Sequence, residues 1–171
     1  MSQFTTCTPS TMSRDEFVTT FADIYEHSPW VAEQTFDQGI SAEDDTIAHL
    51  HSRMAAVMSN ADKQAQLDLI NAHPDLAGKA ALEGTLTEAS TNEQAGAGID
   101  QCTPEEFERF TALNNAYKEK FKFPFIMAVK GSNRHQILAA FEERIHNDYD
   151  TEFERAVNEI NKIAEFRLSA M

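Results

Sequence analysis

The stretch Thr103-Pro-Glu-Glu-Phe-Glu-Arg-Phe-Thr-Ala-Leu-Asn-Asn-Ala-Tyr-Lys-Glu-Lys-Phe121 decides the fold class. Thr103 can cap a helix, Pro104 suits its first position, and Glu106 closes a capping box three residues after the cap. Phe107, Phe110, Leu113, Tyr117 and Phe121 then recur at helical spacing, and Phe123-Pro124-Phe125 ends the run. Asn114 falls on that aromatic face, where a buried amide must find a hydrogen-bond partner.

The same signature repeats in both directions. Upstream, Ser13-Arg14-Asp15-Glu16 has capping-box form ahead of Phe17, Phe21 and Ile24, and Ser28-Pro29 is the stop. A short helix follows through Phe36, with Gly39 to end it. Ile47, Leu50, Met54, Val57 and Met58 stripe a longer helix begun near Ser41. Leu67 and Ile70 face inward on the next one, which must end near His73, because Pro74 disfavours helical geometry in the residue before it. Between Leu76 and Ser90 the signal weakens to a short helix and a loop, and a further helix opens at Ser90 with Glu93 closing a box. Downstream, Ile126-Met127-Ala128-Val129 is the sole strand candidate, too short and solitary to build a sheet. Ile137, Leu138, Phe141 and Ile145 mark another helix. Thr151 with Glu154 caps the last, whose inward face carries Phe153, Val157, Ile160 and Ala164. The expectation is an all-α, single compact multi-helix domain over residues 1–171, with no significant sheet and a loosely ordered segment at 1–12.

Composition narrows the function. The chain has 171 residues, 42% hydrophobic and 25% charged, with 14 Lys+Arg against 28 Asp+Glu and a formal charge of −14. That is ordinary for a soluble globular protein. The acidic balance argues against nucleic acid or an anionic membrane as partner. No apolar run approaches the ~20 residues of a bilayer span. Met1-Ser-Gln-Phe-Thr-Thr-Cys7 has neither the basic cluster nor the apolar core of a signal peptide, so a reducing cytoplasm is expected. Cys7 and Cys102 write neither a zinc knuckle nor a disulfide framework. His49-x-His51 is too close for both rings to share a helix face, and no metal site is expected. Metalloprotease, nucleophile-elbow, phosphate-loop, dinucleotide and calcium motifs are missing.

What remains are polar residues that break the packing pattern. Arg167 lies seven residues after Ile160, on the buried stripe of the last helix. There it needs an anion, a structural salt bridge or a route to solvent. If it grips a substrate, a wet cavity should hold it rather than a tight ion pair. His73 sits at a helix C-terminus, where the dipole favours an imidazolium and suits a proton donor; a capping histidine is the alternative. Glu93 could serve its capping box or chemistry, and the small residues Ala95-Gly96-Ala97-Gly98 after it leave room for a neighbouring helix or a ligand. One His, one Glu and one Arg can move protons and hold an anion.

Four blocks, in order, then make the sequence recognisable: His73-Pro-Asp-Leu-Ala-Gly-Lys79, Leu86-Thr-Glu-Ala-Ser90-Thr-Asn-Glu93-Gln94-Ala-Gly-Ala-Gly98, Leu113-Asn114-x-x-Tyr117-x-x-Lys-Phe-x-Phe-Pro-Phe125 and Lys162-Ile-x-x-x-Arg167-Leu168. Together they resemble the OHCU decarboxylases, which convert 2-oxo-4-hydroxy-4-carboxy-5-ureidoimidazoline to S-allantoin in urate breakdown. The resemblance runs from about Phe17 to Leu168. It implies an all-helical enzyme that needs no cofactor and no metal, usually a homodimer, with a small ureidoimidazoline as substrate. Its catalytic residues fall on His73, Glu93 and Arg167. Its substrate contacts fall on Pro74, on Ser90, Thr91, Asn92, Glu93 and Gln94, and on Phe125, Ile126, Met127, Ala128 and Val129. Lys122 departs from the family, which usually has Gly there, and this leaves the local backbone geometry open. The ending Ser169-Ala170-Met171 differs from the peroxisomal tripeptide of many eukaryotic relatives, so a bacterial cytoplasmic enzyme is expected. Two other classes fit the same residues: a non-catalytic acidic helical module, and a metal-dependent ureido hydrolase using His73 and Glu93.

Overall fold

The computed structural model describes residues 2–77 and 87–171. The short helix and loop expected between Leu76 and Ser90 fall largely outside the described residues. The rest is helical, with eight α-helices and no strand among the described residues. They are α1 (Arg14–Phe21), α2 (Trp30–Asp37), α3 (Ile47–Asn60), α4 (Lys63–Ala72), α5 (Glu88–Gly96), α6 (Pro104–Phe121), α7 (Arg134–Arg144) and α8 (Tyr149–Ser169). Residues 126–129, the strand candidate, carry no regular structure. None of these helices is long and apolar enough to cross a membrane.

The chain divides into two compact units, Met1–Ala72 with Ile160–Met171, and His73–Glu159. In the first, Phe17 packs between Phe21 and Phe36, and Phe4 closes on Phe21 edge-to-face. The N-terminal segment is hydrogen-bonded at several points. Thr5 and Thr6 donate their amides to Met171 O, Gln3 bridges Thr46, and Ser10 donates both N–H and hydroxyl to Asp45. Phe4 supplies the reason, since an apolar ring 8% exposed anchors the segment that carries it. α1 stops at Phe21 rather than at Ser28-Pro29, and Ile24 and Tyr25 are buried from the turns that follow.

In the second unit, α6 begins where the sequence said it would. Thr103 Oγ1 accepts from Glu106 N–H, and Glu106 returns the bond to Thr103 N–H. Tyr117 is the centre of an aromatic cluster with Phe121, Phe123, Phe125 and Phe141. Besides α3, which opens at Ile47 after a separate 3-10 turn over Ala42–Asp45 rather than near Ser41, two helix starts differ from expectation. α5 is capped by Thr87, whose hydroxyl accepts from Ser90 N–H, so Ser90 is an interior residue and Glu93 closes no box with it. α8 is capped by Asp148, which accepts from Thr151 N–H at 2.7 Å. In both, an equally good capping residue stands three positions upstream, and the earlier one extends the helix by most of a turn. Lys122 takes the left-handed conformation (φ 64°, ψ 21°) that ends α6. Lysine thus adopts the geometry for which glycine is usual, at a cost of about 1–2 kcal/mol.

Candidate active site

His73 opens the second unit, as the chain leaves α4 and Pro74 blocks further helix. The five residues His73 to Ala77 have no helix or ladder to satisfy their backbone; two side chains bond it instead, and a third holds the Asp75 carboxylate. Asn114 Nδ2 donates to Leu76 O at 2.9 Å, which is the partner its place on the aromatic face demanded. Gln94 Oε1 accepts from Ala77 N–H at 3.1 Å, and its Nε2 reaches Asp75 O at 3.4 Å. Lys118 Nζ meets Asp75 Oδ2 at 2.7 Å. Ala77 sits at φ 53°, a strained position for a residue with a Cβ, and these clamps hold it there. His73 is therefore presented, 9% exposed, from a rigid segment.

α5 carries the next group. Ser90 and Gln94 are buried, Glu93 is half-buried, and Thr91 and Asn92 are exposed. The Thr91 hydroxyl is turned back to Thr87 O at 2.9 Å. Both ends of the Gln94 amide are committed to the 75–77 backbone, so it positions the loop. The small residues that follow end α5 at Gly96, with Gly98 left-handed at φ 75°.

The third group, Phe125 to Val129, is fixed by buried charge. Phe125 stacks on Phe141 at 3.9 Å, and the Arg144 guanidinium lies 4.4 Å above its ring. Arg144 Nη1 donates to Ile126 O at 2.6 Å, while its Nε pairs with Glu152 Oε1 at 3.0 Å. Glu152 also accepts from the Tyr117 hydroxyl at 2.7 Å and from Asn147 Nδ2 at 3.0 Å. Burial, and then the Glu152 carboxylate beside it, push the Tyr117 phenol well above its usual range. Glu159 Oε1 accepts from Ala128 N–H at 3.2 Å. The sequence reading missed Arg144, Glu152 and Glu159. The signal was there: Glu152 and Glu159 are seven residues apart, in line with the buried Ala156 and Ile163.

Arg167 belongs to the first unit. It is 8% exposed, and its Nη2 pairs with Glu26 Oε2 at 2.9 Å, while its Nη1 donates to Asp23 O and Ile24 O at 3.2 and 3.3 Å. Of the alternatives the sequence left open, this is the salt bridge, with a carboxylate 1% exposed, and not the wet cavity that a substrate grip would ask for. Glu26 was not foreseen, because it lies in turns where no periodicity applies. An open cavity of about 580 Å³ in this unit is lined by Trp30, Gln34, Asp62 and Asp68 among others, and by none of the residues singled out from the sequence. His49 and His51 go separate ways, to Asp44 and to Asn161 O. No group of three or more potential metal ligands occurs among the described residues.

The sequence profile of the OHCU decarboxylases matches residues 10–169. The chain belongs to the OHCU decarboxylase family. Its relatives include the 2-oxo-4-hydroxy-4-carboxy-5-ureidoimidazoline decarboxylase of Haloferax volcanii, 42% identical over 91% of this chain and 88% of that protein. The uric acid degradation bifunctional protein of Bacillus subtilis is 37% identical over 92% of this chain and 31% of its own length. A solved (S)-allantoin synthase is 32% identical, with a TM-score of 0.74 over 94% of this chain; the chain spans about half of that protein, 51%. A solved OHCU decarboxylase, determined in the presence of (S)-allantoin, shares the fold at a TM-score of 0.67 and 24% identity, over 82% of this chain and 89% of its own. The decarboxylase blocks at His73, at Ser90 to Gln94 and at Phe125 to Val129 all lie in the second unit.

Proposed function

We propose that this chain converts 2-oxo-4-hydroxy-4-carboxy-5-ureidoimidazoline to (S)-allantoin, as a cofactor-independent decarboxylase of urate breakdown working in the cytoplasm as a homodimer. Membership of the decarboxylase family, joined to the clamped segment that presents His73, carries this reading. In the reaction the bond between ring carbon and carboxylate breaks and carbon dioxide leaves. The electron pair passes into the adjacent ring C=N bond, so the substrate is its own electron sink and asks for no pyridoxal or thiamine. That leaves an enol, with a proton on the ring nitrogen and a double bond between the two ring carbons. As the enol hydroxyl gives up its proton and becomes the carbonyl, the neighbouring ureido-bearing carbon takes a proton, on one face only. His73 is the proposed donor. Its rigid mounting suits a stereospecific step, in which a misplaced donor forfeits much of the rate. Glu93 is proposed to orient His73 or the substrate hydroxyl. Pro74, Ser90 to Gln94 and Phe125 to Val129 are proposed to hold the ring. Arg167 is proposed, on the resemblance, to complement oxygens that stay on the ring, which requires its ion pair with Glu26 to open; gripping the departing carboxylate would stabilise the ground state and slow the step.

The test is conversion of freshly generated substrate, followed by near-ultraviolet circular dichroism. Optically active allantoin formed faster than the spontaneous racemate supports the reading, and activity should survive a chelator. His73→Asn should cost ~10²–10⁴-fold in turnover without loss of fold. A racemic product at the spontaneous rate removes the decarboxylase.

A further inference from the structure

The peptide groups on either side of Met127 are gripped by opposite charges, and this grip has a chemical consequence. Every described peptide is trans, so within each unit the C=O and N–H point in opposite directions. The 126–127 peptide contains Ile126 C=O and Met127 N–H. Arg144 Nη1 holds that carbonyl at 2.6 Å, and so turns Met127 N–H away from the guanidinium. The 127–128 peptide contains Met127 C=O and Ala128 N–H. Glu159 Oε1 holds that amide at 3.2 Å, and so turns Met127 C=O away from the carboxylate. Met127 is half-buried, and its own N–H and C=O bond to no described residue.

The two anchors also polarise what they hold. A cation on Ile126 C=O draws electron density from the 126–127 peptide and makes Met127 N–H a stronger donor. An anion on Ala128 N–H pushes density into the 127–128 peptide and makes Met127 C=O a stronger acceptor. Hydrogen-bond chains strengthen one another in this way by about 10–30% per bond. Burying Arg144, Glu152 and Glu159 at 4%, 0% and 3% exposure is a costly way to secure one loop, and apolar packing would do as well if stability were the only demand.

We propose that Arg144 and Glu159 are positioning residues that orient and polarise a donor–acceptor pair on Met127, for a planar ligand presenting an amide edge. This rests on the decarboxylase reading above, whose substrate and product are both ureido rings rich in such edges.

The experiment titrates (S)-allantoin against the full chain and its Glu159→Gln and Glu159→Leu variants, with steady-state kinetics beside each. Glutamine keeps the acceptor for Ala128 N–H and loses the charge; leucine loses both. The expected order is a several-fold rise in Kd and KM for Glu159→Gln and more than tenfold for Glu159→Leu, with kcat changed less than KM. The Met127 amide proton, followed by NMR, should move downfield on adding allantoin to the wild type, and move less in Arg144→Lys. Equal Kd in all three proteins, with wild-type activity intact, overturns the proposal and leaves the decarboxylase standing. A wild type that neither binds allantoin nor forms it removes the decarboxylase reading and this one with it. A Glu159→Leu variant that fails to fold leaves the decision to Glu159→Gln and the NMR shift.

Discussion

Among the described residues each unit holds a buried Arg–Glu pair, and the two are built differently. Arg144 and Glu152 are eight residues apart, at 3.0 Å, and the carboxylate is also bonded by Tyr117 and Asn147. Arg167 and Glu26 come from opposite ends of the chain, at 2.9 Å, with two backbone carbonyls completing the arginine's contacts. The first pair is local and feeds a loop; the second ties the last helix to the turns after α1. Position on an apolar helix face therefore identifies an arginine that must be neutralised, and does not say for what purpose.

The largest effect expected is from Arg144→Met, which strands a carboxylate with no exposed surface. It should cost about 3–5 kcal/mol in denaturant unfolding, and Arg144→Met with Glu152→Gln should recover most of it. Equal losses in the single and double variants would show that the pair is not the energetic unit. Arg167→Met should fall near the lower end of the same range, about 3 kcal/mol, because its carboxylate partner is likewise buried, while Glu152 also anchors Tyr117 and Asn147. Arg167→Lys then separates the roles. Slow turnover with a nearly unchanged melting temperature marks a substrate contact, and unaltered allantoin binding marks a structural pair.

Asp44 extends the comparison to pH. Burial alone would raise its carboxyl, but Ser41 N–H, Arg53 and His49 outweigh that and hold it below the usual carboxylate range. The stability it lends is complete above that range and is lost as pH falls through the lowered value. Asp44→Asn should lose about 1.5–3 kcal/mol at neutral pH and little in acid, which thermal melts across the acid limb will show. On α5, Thr87→Ala should cost about 1 kcal/mol as a lost cap, whereas Glu93→Gln should leave stability alone and reduce turnover. The reverse result would return Glu93 to a structural role. The smallest effect is a gain: Lys122→Gly should add about 1 kcal/mol by relieving the left-handed lysine that ends α6.

The helices were legible because each needs only its own sequence: a cap, a stripe and a stop. Errors came where two caps compete three residues apart, as at Thr87 and Ser90, or Asp148 and Thr151. His73, Glu93 and the Phe125–Val129 segment were visible through their setting at breaks in the helical pattern and through resemblance. Glu26 was not, since it lies in turns where no periodicity applies; Glu152 and Glu159 could be placed on the buried stripe of the last helix by their spacing, but their partners are set by packing. Asn114 shows the boundary. Its burial could be read from spacing, but its bond to Leu76 O could not.

Ala77 offers a reporter for this architecture. Its amide is held by the Gln94 side chain rather than by any helix, at a backbone position that is strained. Exchange of that proton for deuterium therefore follows brief local release of the clamp, not global unfolding of the chain. The free energy of that release, read at one amide in the resting protein, measures how firmly the histidine is mounted before any substrate arrives.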